Sequence, residues 1–285
     1  MGQNGKTVAR VQCPVEESER QYNLREAFPT YPQTRETWVK ASQELVAKVS
    51  PQIDLAYGDG PLQKLDYFNA QSGAPLLVFV HGGYWQGGDK ADVNFMAGPY
   101  IAAGINVAVI NYSLAPEARI EQMVAEVQRS LVWLNSQAGN LGFDPARVSL
   151  MGHSAGGHLI AMMVARTNER APEGMPAIVN LFPISGVFDL PPLLPSSINN
   201  ALALDQVRAE ALSPLAWPGP DNTYIHTFVG AGETEQFHVQ SETLGQAWKV
   251  ARHDSVPDTD HFTILNVLAD GSSEYAKSVI AAIKG

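Results

Sequence analysis

The 285-residue chain carries a single cysteine, Cys13. One thiol forms no internal disulfide, so nothing ties the fold to an oxidising compartment. No Cys/His spacing of the metal-binding kind surrounds it, so Cys13 reads as a bystander and no metal site is expected. No apolar run approaches the roughly 18 residues that a membrane span needs, so no membrane association is expected. The opening stretch "MGQNGKTVARVQCPVEESER" lacks an apolar leader core. Lys6 stands where a myristoylation pattern requires Ser or Thr. The expected location is cytoplasmic. Positive charge is also scarce: 19 Lys and Arg face 29 Asp and Glu, a net charge of −10. Such a surface repels a phosphate backbone, which argues against nucleic acid as a partner. Internal repeats and low-complexity tracts are absent, and so is the H-E-x-x-H spacing of a metal hydrolase.

What is present is an alternation. The runs 76–80, 105–112, 147–152, 177–184 and 224–230 are apolar without polar interleaving. Runs of this kind suit strands buried on both faces, as in a parallel sheet covered by helices. Between them lie helical patterns. Over 117–137, Ile120, Val124, Val127, Leu131 and Leu134 recur at three- and four-residue steps and form one apolar stripe. Further helices are predicted over 154–167, 238–251 and 272–285, a last strand near 253–258, and a hairpin before residue 75. The expectation is a single α/β domain over 1–285 with a doubly wound sheet. Residues 15–50 read as a helical segment and 186–220 as a Pro/Leu-rich insert. Each is a cap element or ordinary surface packing.

Residues 150–158, "LMGHSAGGH", place Ser154 in G-x-S-x-G between a strand and a helix. In that context the serine turns sharply and its hydroxyl stands above the sheet edge. The helix N-terminus and the Ala155 N–H then face a reacting oxygen. "HGGYW" (81–85) follows another strand, and the N–H groups of Gly82 and Gly83 approach a ligand unhindered. Gly82, Gly83 and Ala155 are thus the oxyanion-hole candidates. His81 suits holding the glycine loop, and His153 and His158 suit structural roles beside the serine.

A base belongs late in the chain, since this fold orders its triad serine, acid, histidine. His226 lies inside a strand, His238 is expected to open a helix, and His253 to precede the last strand. His261 lies in a polar loop after that strand and is the expected base. The acid follows the penultimate strand, where Glu233 and Glu235 are available; Glu233 is nearer the strand end and is preferred. Asp189, Asp258 and Asp260 are lesser candidates.

These stretches resemble an α/β-hydrolase and, more narrowly, the kynurenine formamidase (arylformamidase) branch with its carboxylesterase relatives. The residues that carry the resemblance are "ERQYN" (19–23), "HGGYWQGGDK" (81–90), "NYSLAPEA" (111–118), "GHSAGGH" (152–158), "ETEQFHVQS" (233–241) and "DHF" (260–262). The resemblance implies the α/β-hydrolase fold and a serine–acid–histidine triad without cofactor. Its acid position falls on Glu233, where the family carries aspartate, and "TEQF" replaces "SPEF". The implied reaction cleaves a small acyl amide or ester through an acyl-enzyme, with N-formylkynurenine as the substrate type. A carboxylesterase for short acyl esters and a non-catalytic hydrolase-fold receptor are the alternatives. Tyr84 and Trp85 are expected at the substrate, against plain loop packing. The expected partner is the small-molecule substrate, with a homodimer left open.

Overall fold

The computed structural model describes residues 10–167 and 171–285. The N-terminal stretch on which the leader and myristoylation expectations rest lies largely outside them. Eight strands form one sheet: β1 (Gln52–Ala56), β2 (Lys64–Phe68), β3 (Ala74–Val80), β4 (Asn106–Ile110), β5 (Phe143–His153), β6 (Ile178–Ile184), β7 (Tyr224–Gly230) and β8 (Arg252–Val256). Their spatial order is β1-β2-β4-β3-β5-β6-β7-β8. The β1–β2 and β2–β4 pairings are antiparallel and all others are parallel. The hairpin expected before residue 75 is β1–β2.

The apolar runs have a direct physical reason. Every residue of β3 and β4 is buried. Leu76, Val78 and Val80 feed one core cluster, and Leu77 and Phe79 feed the other. The two-residue side-chain period splits each strand between both faces, so both faces are apolar along β3 and, beyond Asn106, along β4. The first cluster takes the buried stripe of the Ile120–Ser136 helix, with Ile120, Met123, Val127, Leu131 and Leu134 against the sheet. It also takes the Ala155–Val164 helix, whose first eight residues are all buried. The second takes Trp38 of the N-terminal segment and Val279 and Ile283 of the C-terminal Glu274–Lys284 helix.

Residues 15–50 are helical: α1 (Val15–Tyr22), α2 (Leu24–Ala27) and α3 (Tyr31–Val49). Pro32 sits in the first turn of α3, where its missing N–H costs nothing, and left-handed Ser50 (φ 48°) ends it. Asp189 pins the chain ahead of α1, accepting from Arg10 Nη1 and from Val11 N–H, both at 2.8 Å. Residues 186–220 form only short helical turns. Two expectations shift. The helix expected at 238–251 runs Glu235–Ala247, so His238 lies one turn inside it. His253 lies within β8 rather than before it.

Candidate active site

β5 stops at His153, and Ser154 adopts φ 55° and ψ −118° before the Ala155–Val164 helix begins. This left-handed region is strained for a side-chain-bearing residue, by about 1–3 kcal/mol. The flanking glycines exist for clearance. A Cβ on Gly152 would stand 2.4 Å from Gly156 O, and one on Gly156 would stand 2.1 Å from Val80 O. Strand, turn and helix pack too closely for any larger residue. The buried Ser154 donates its N–H to Ile184 O at 2.8 Å, which anchors the turn to β6.

The glycine loop lies against this turn. A Cβ on Gly82 would stand 3.0 Å from Ser154 Cβ. Gly83, Tyr84 and Trp85 all have positive φ, at 116°, 51° and 57°. This curl leaves the N–H groups of Gly82 and Gly83, like that of Ala155, donating to no acceptor among the described residues. Buried His81 places Nδ1 2.8 Å from Gly82 O, and its ring stacks on Tyr112 with centroids 4.5 Å apart. Tyr112 in turn donates its hydroxyl to His81 O at 2.9 Å. The far end of the loop is tied by Asn111, which accepts from Lys90 N–H at 2.6 Å and donates to Asp89 Oδ2 at 3.0 Å.

His261 follows β8, and its Nδ1 lies 2.6 Å from Glu233 Oε2 with both side chains fully or almost fully buried. Glu233 follows β7, and its Oε1 accepts from Gly230 N–H at 2.7 Å and from Ser185 Oγ at 2.5 Å. Phe237 and Phe262 pack on the imidazole with centroids 4.5 and 5.2 Å away. His153 brings its ring to 4.8 Å from that of His261 and its Nε2 to 2.7 Å from His261 O. Burial, reinforced by the neighbouring His261, pushes His153 well below its ordinary pKa, so it is a neutral donor that holds the loop. Ser154 and His261 line the same cavity of about 580 Å³. Among the described residues no hydrogen bond joins Ser154 Oγ to the imidazole, whose Nδ1 is held by Glu233.

The other carboxylates have separate occupations. Glu235 is the first residue of the Glu235–Ala247 helix. Asp189 holds Arg10 and Val11. Asp260 Oδ1 accepts from the N–H groups of Phe262 and Thr263, and Asp258 is exposed on a left-handed turn. Three further histidines are also engaged: His226 with Asp254, His253 with Thr227 and His158 with Leu212 O, each at 2.8 Å.

Trp85 does not line this cavity. It is fully buried and packs on the His158 ring with centroids 5.0 Å apart, away from the cavity wall. Its indole belongs to the first core cluster. Tyr84 does line the cavity, and its hydroxyl donates to Tyr22 O at 2.6 Å. Aromatic rings not singled out for the site complete the wall. Tyr31 stacks on Phe262 at 4.2 Å, and Trp38 lies 6.3 Å from Phe262. Ser197 and Ile198 border the cavity from the 186–220 insert. Both expected cap segments therefore contribute to its wall. Ser185 also went unremarked; its only sequence signal is a polar residue between a buried strand and Gly186. Among the described residues no group of His, Cys, Asp and Glu is placed to hold a metal ion, and no helix is long and apolar enough to cross a membrane.

A mostly parallel eight-stranded sheet with this strand order, carrying a serine on a strained strand-to-helix turn, defines an α/β-hydrolase. The comparisons with known proteins agree and go further. A family profile described as BD-FAE matches residues 66–189. Kynurenine formamidase of Salmo salar is 33% identical over 233 residues, covering 77% of each chain. That of Drosophila melanogaster is 30% identical over 288 residues, covering 89% of this chain and 94% of its own. Carboxylesterase NlhH of Mycobacterium tuberculosis is 30% identical over 194 residues, 65% of this chain and 57% of its own. A crystal structure from Silicibacter sp. TM1040, described as a candidate thioesterase, superposes with a TM-score of 0.83. It is 31% identical and covers 94% of this chain and 99% of that one. The chain belongs to the kynurenine formamidase family of α/β-hydrolases and is a hydrolytic enzyme of that fold.

Proposed function

We propose that the protein is a serine hydrolase that cleaves a small acyl amide, of the N-formylkynurenine type, through an acyl-enzyme. The observation that carries this reading is the convergence of three strand ends. Ser154 stands on its left-handed turn in the same cavity as an imidazole whose Nδ1 is held by the Glu233 carboxylate. In this mechanism His261 takes the Ser154 proton as Oγ attacks the substrate carbonyl. Glu233 fixes the ring orientation and stabilises the imidazolium. The N–H groups of Gly82, Gly83 and Ala155 receive the oxyanion; each such donor is worth roughly 3–4 kcal/mol where the charge develops. His261 then protonates the leaving amine as the tetrahedral intermediate collapses to acyl-Ser154. Water attacks that ester, with His261 again the base, and releases the acid and free serine.

The aromatic wall of Tyr31, Trp38 and Phe262 suits a flat aryl leaving group better than an extended alkyl one. A formyl group asks little of an acyl pocket. The second reading, a carboxylesterase for short acyl esters, uses the same residues and is favoured by the match to a named carboxylesterase. Turnover of N-formylkynurenine measured beside short-chain p-nitrophenyl esters separates the two. Strong ester turnover with no formamide turnover removes the first reading. Failure of an organophosphonate to label Ser154 removes both and revives a non-catalytic receptor.

A further inference from the structure

We propose that Ser185 is a positioning residue: its hydroxyl fixes the Glu233 carboxylate and draws part of that group's charge away from the imidazole of His261. The inference rests on the proposed roles of Ser154, Glu233 and His261, and goes beyond them to a side chain from another strand end. Ser185 follows β6, is fully buried and has φ 51°. A serine in that region is costly, and the cost is maintained by the Ser185 N–H bond to Phe228 O at 2.8 Å. The conformation delivers Oγ to Glu233 Oε1 at 2.5 Å, while Gly230 N–H reaches the same oxygen at 2.7 Å. The other oxygen, Oε2, faces His261 Nδ1 at 2.6 Å. The carboxylate charge is therefore shared between two donors on one side and one ring on the other.

The surroundings isolate this effect. His153 faces the imidazole from the end of β5, and His81 lies behind it; burial disfavours the charged form of each. Tyr84 is close enough to feel the Glu233 charge, and burial keeps its hydroxyl protonated. Asp260, next to His261 in the chain, is turned to the backbone of Phe262 and Thr263. Among the described residues Glu233 is the charged group in contact with the ring. Losing the Ser185 donor leaves Gly230 N–H alone to hold Oε1, so the carboxylate is held less firmly and presents more charge to the imidazolium.

The test is kcat/KM for p-nitrophenyl acetate from pH 5 to 9, in the wild type, Ser185→Ala and Ser185→Gly, with thermal melts showing each folded at every pH. Both variants lack the hydroxyl, and glycine relieves the backbone strain, so Ser185→Gly carries the test if Ser185→Ala folds poorly. The midpoint of the acid limb should rise by about half a pH unit, roughly a threefold change in proton affinity. The plateau kcat should fall about tenfold with KM unchanged, as for loss of orientation rather than of binding. A midpoint that does not move, or that falls, overturns the proposal and leaves Ser185 a backbone element only. Ser154→Ala is the control. If it abolishes turnover, an unmoved midpoint sinks Ser185 alone; if it stays active, the proposal falls with the mechanism beneath it.

Discussion

His158 should make this fold acid-sensitive by an amount that can be worked out. It lies in the second turn of the Ala155–Val164 helix, is fully buried, and has Nε2 2.8 Å from Leu212 O. Its Nδ1 finds no partner among the described residues. Burial pushes its pKa down from 6.5 to about 4, against a smaller opposing effect of the Leu212 carbonyl. A histidine whose folded pKa is lowered binds its proton more readily when unfolded. Its contribution to stability is therefore complete above about pH 6.5 and is lost as pH falls from there towards 4. Relative to pH 8, the loss from this one group is about 2 kcal/mol at pH 5 and about 3 kcal/mol at pH 4. His81 and His153, lowered by burial in the same direction, add to the slope. The assay is urea unfolding at pH 8, 6.5 and 5 for the wild type and His158→Gln. Glutamine cannot titrate but retains an N–H for Leu212 O. The variant's stability should fall by about 2 kcal/mol less than the wild type's between pH 8 and pH 5. Parallel curves for the two proteins would refute the reasoning.

Other expectations follow from the same geometry. Ser154→Ala should fold as the wild type and lose turnover by a factor on the order of 10⁶, read by a chromogenic ester. Glu233→Gln should lower kcat by about 10⁴, the scale of losing a triad carboxylate's charge while keeping its shape. Glu235→Gln should stay close to the wild type in the same assay. Gly156→Ala forces a methyl towards Val80 O and should destabilise by at least about 3 kcal/mol or prevent folding, seen as a lowered melting temperature or insoluble protein.

The sheet was legible because its strands are buried on both faces, which removes polar residues from runs such as 76–80. The junction at Ser154 was legible because close packing of strand, turn and helix excludes side chains at Gly152 and Gly156. Glu233 could be preferred over Glu235 by counting from the strand end, and the structure places it against His261. The cavity wall was another matter. Tyr31, Trp38 and Phe262 lie far apart in the chain and meet only through the packing of α3 over the loop after β8, which no local pattern encodes. Trp85 stayed open between substrate contact and loop packing because a loop's sequence does not reveal the sign of φ, which is positive at both Tyr84 and Trp85. Ser185 was invisible for a related reason: a polar residue at a strand end reads as an ordinary turn.

The stretch of chain that joins the Ala155–Val164 helix to β6 has a practical consequence. Severing the backbone there would leave Ser154 and its glycine loop on one fragment, and Ser185, Glu233 and His261 on the other. On the proposed mechanism, neither half should hydrolyse an ester alone. Colour from a chromogenic ester would then report the reunion of the two halves, making the chain a split reporter whose signal requires β5 and β6 to zip together again.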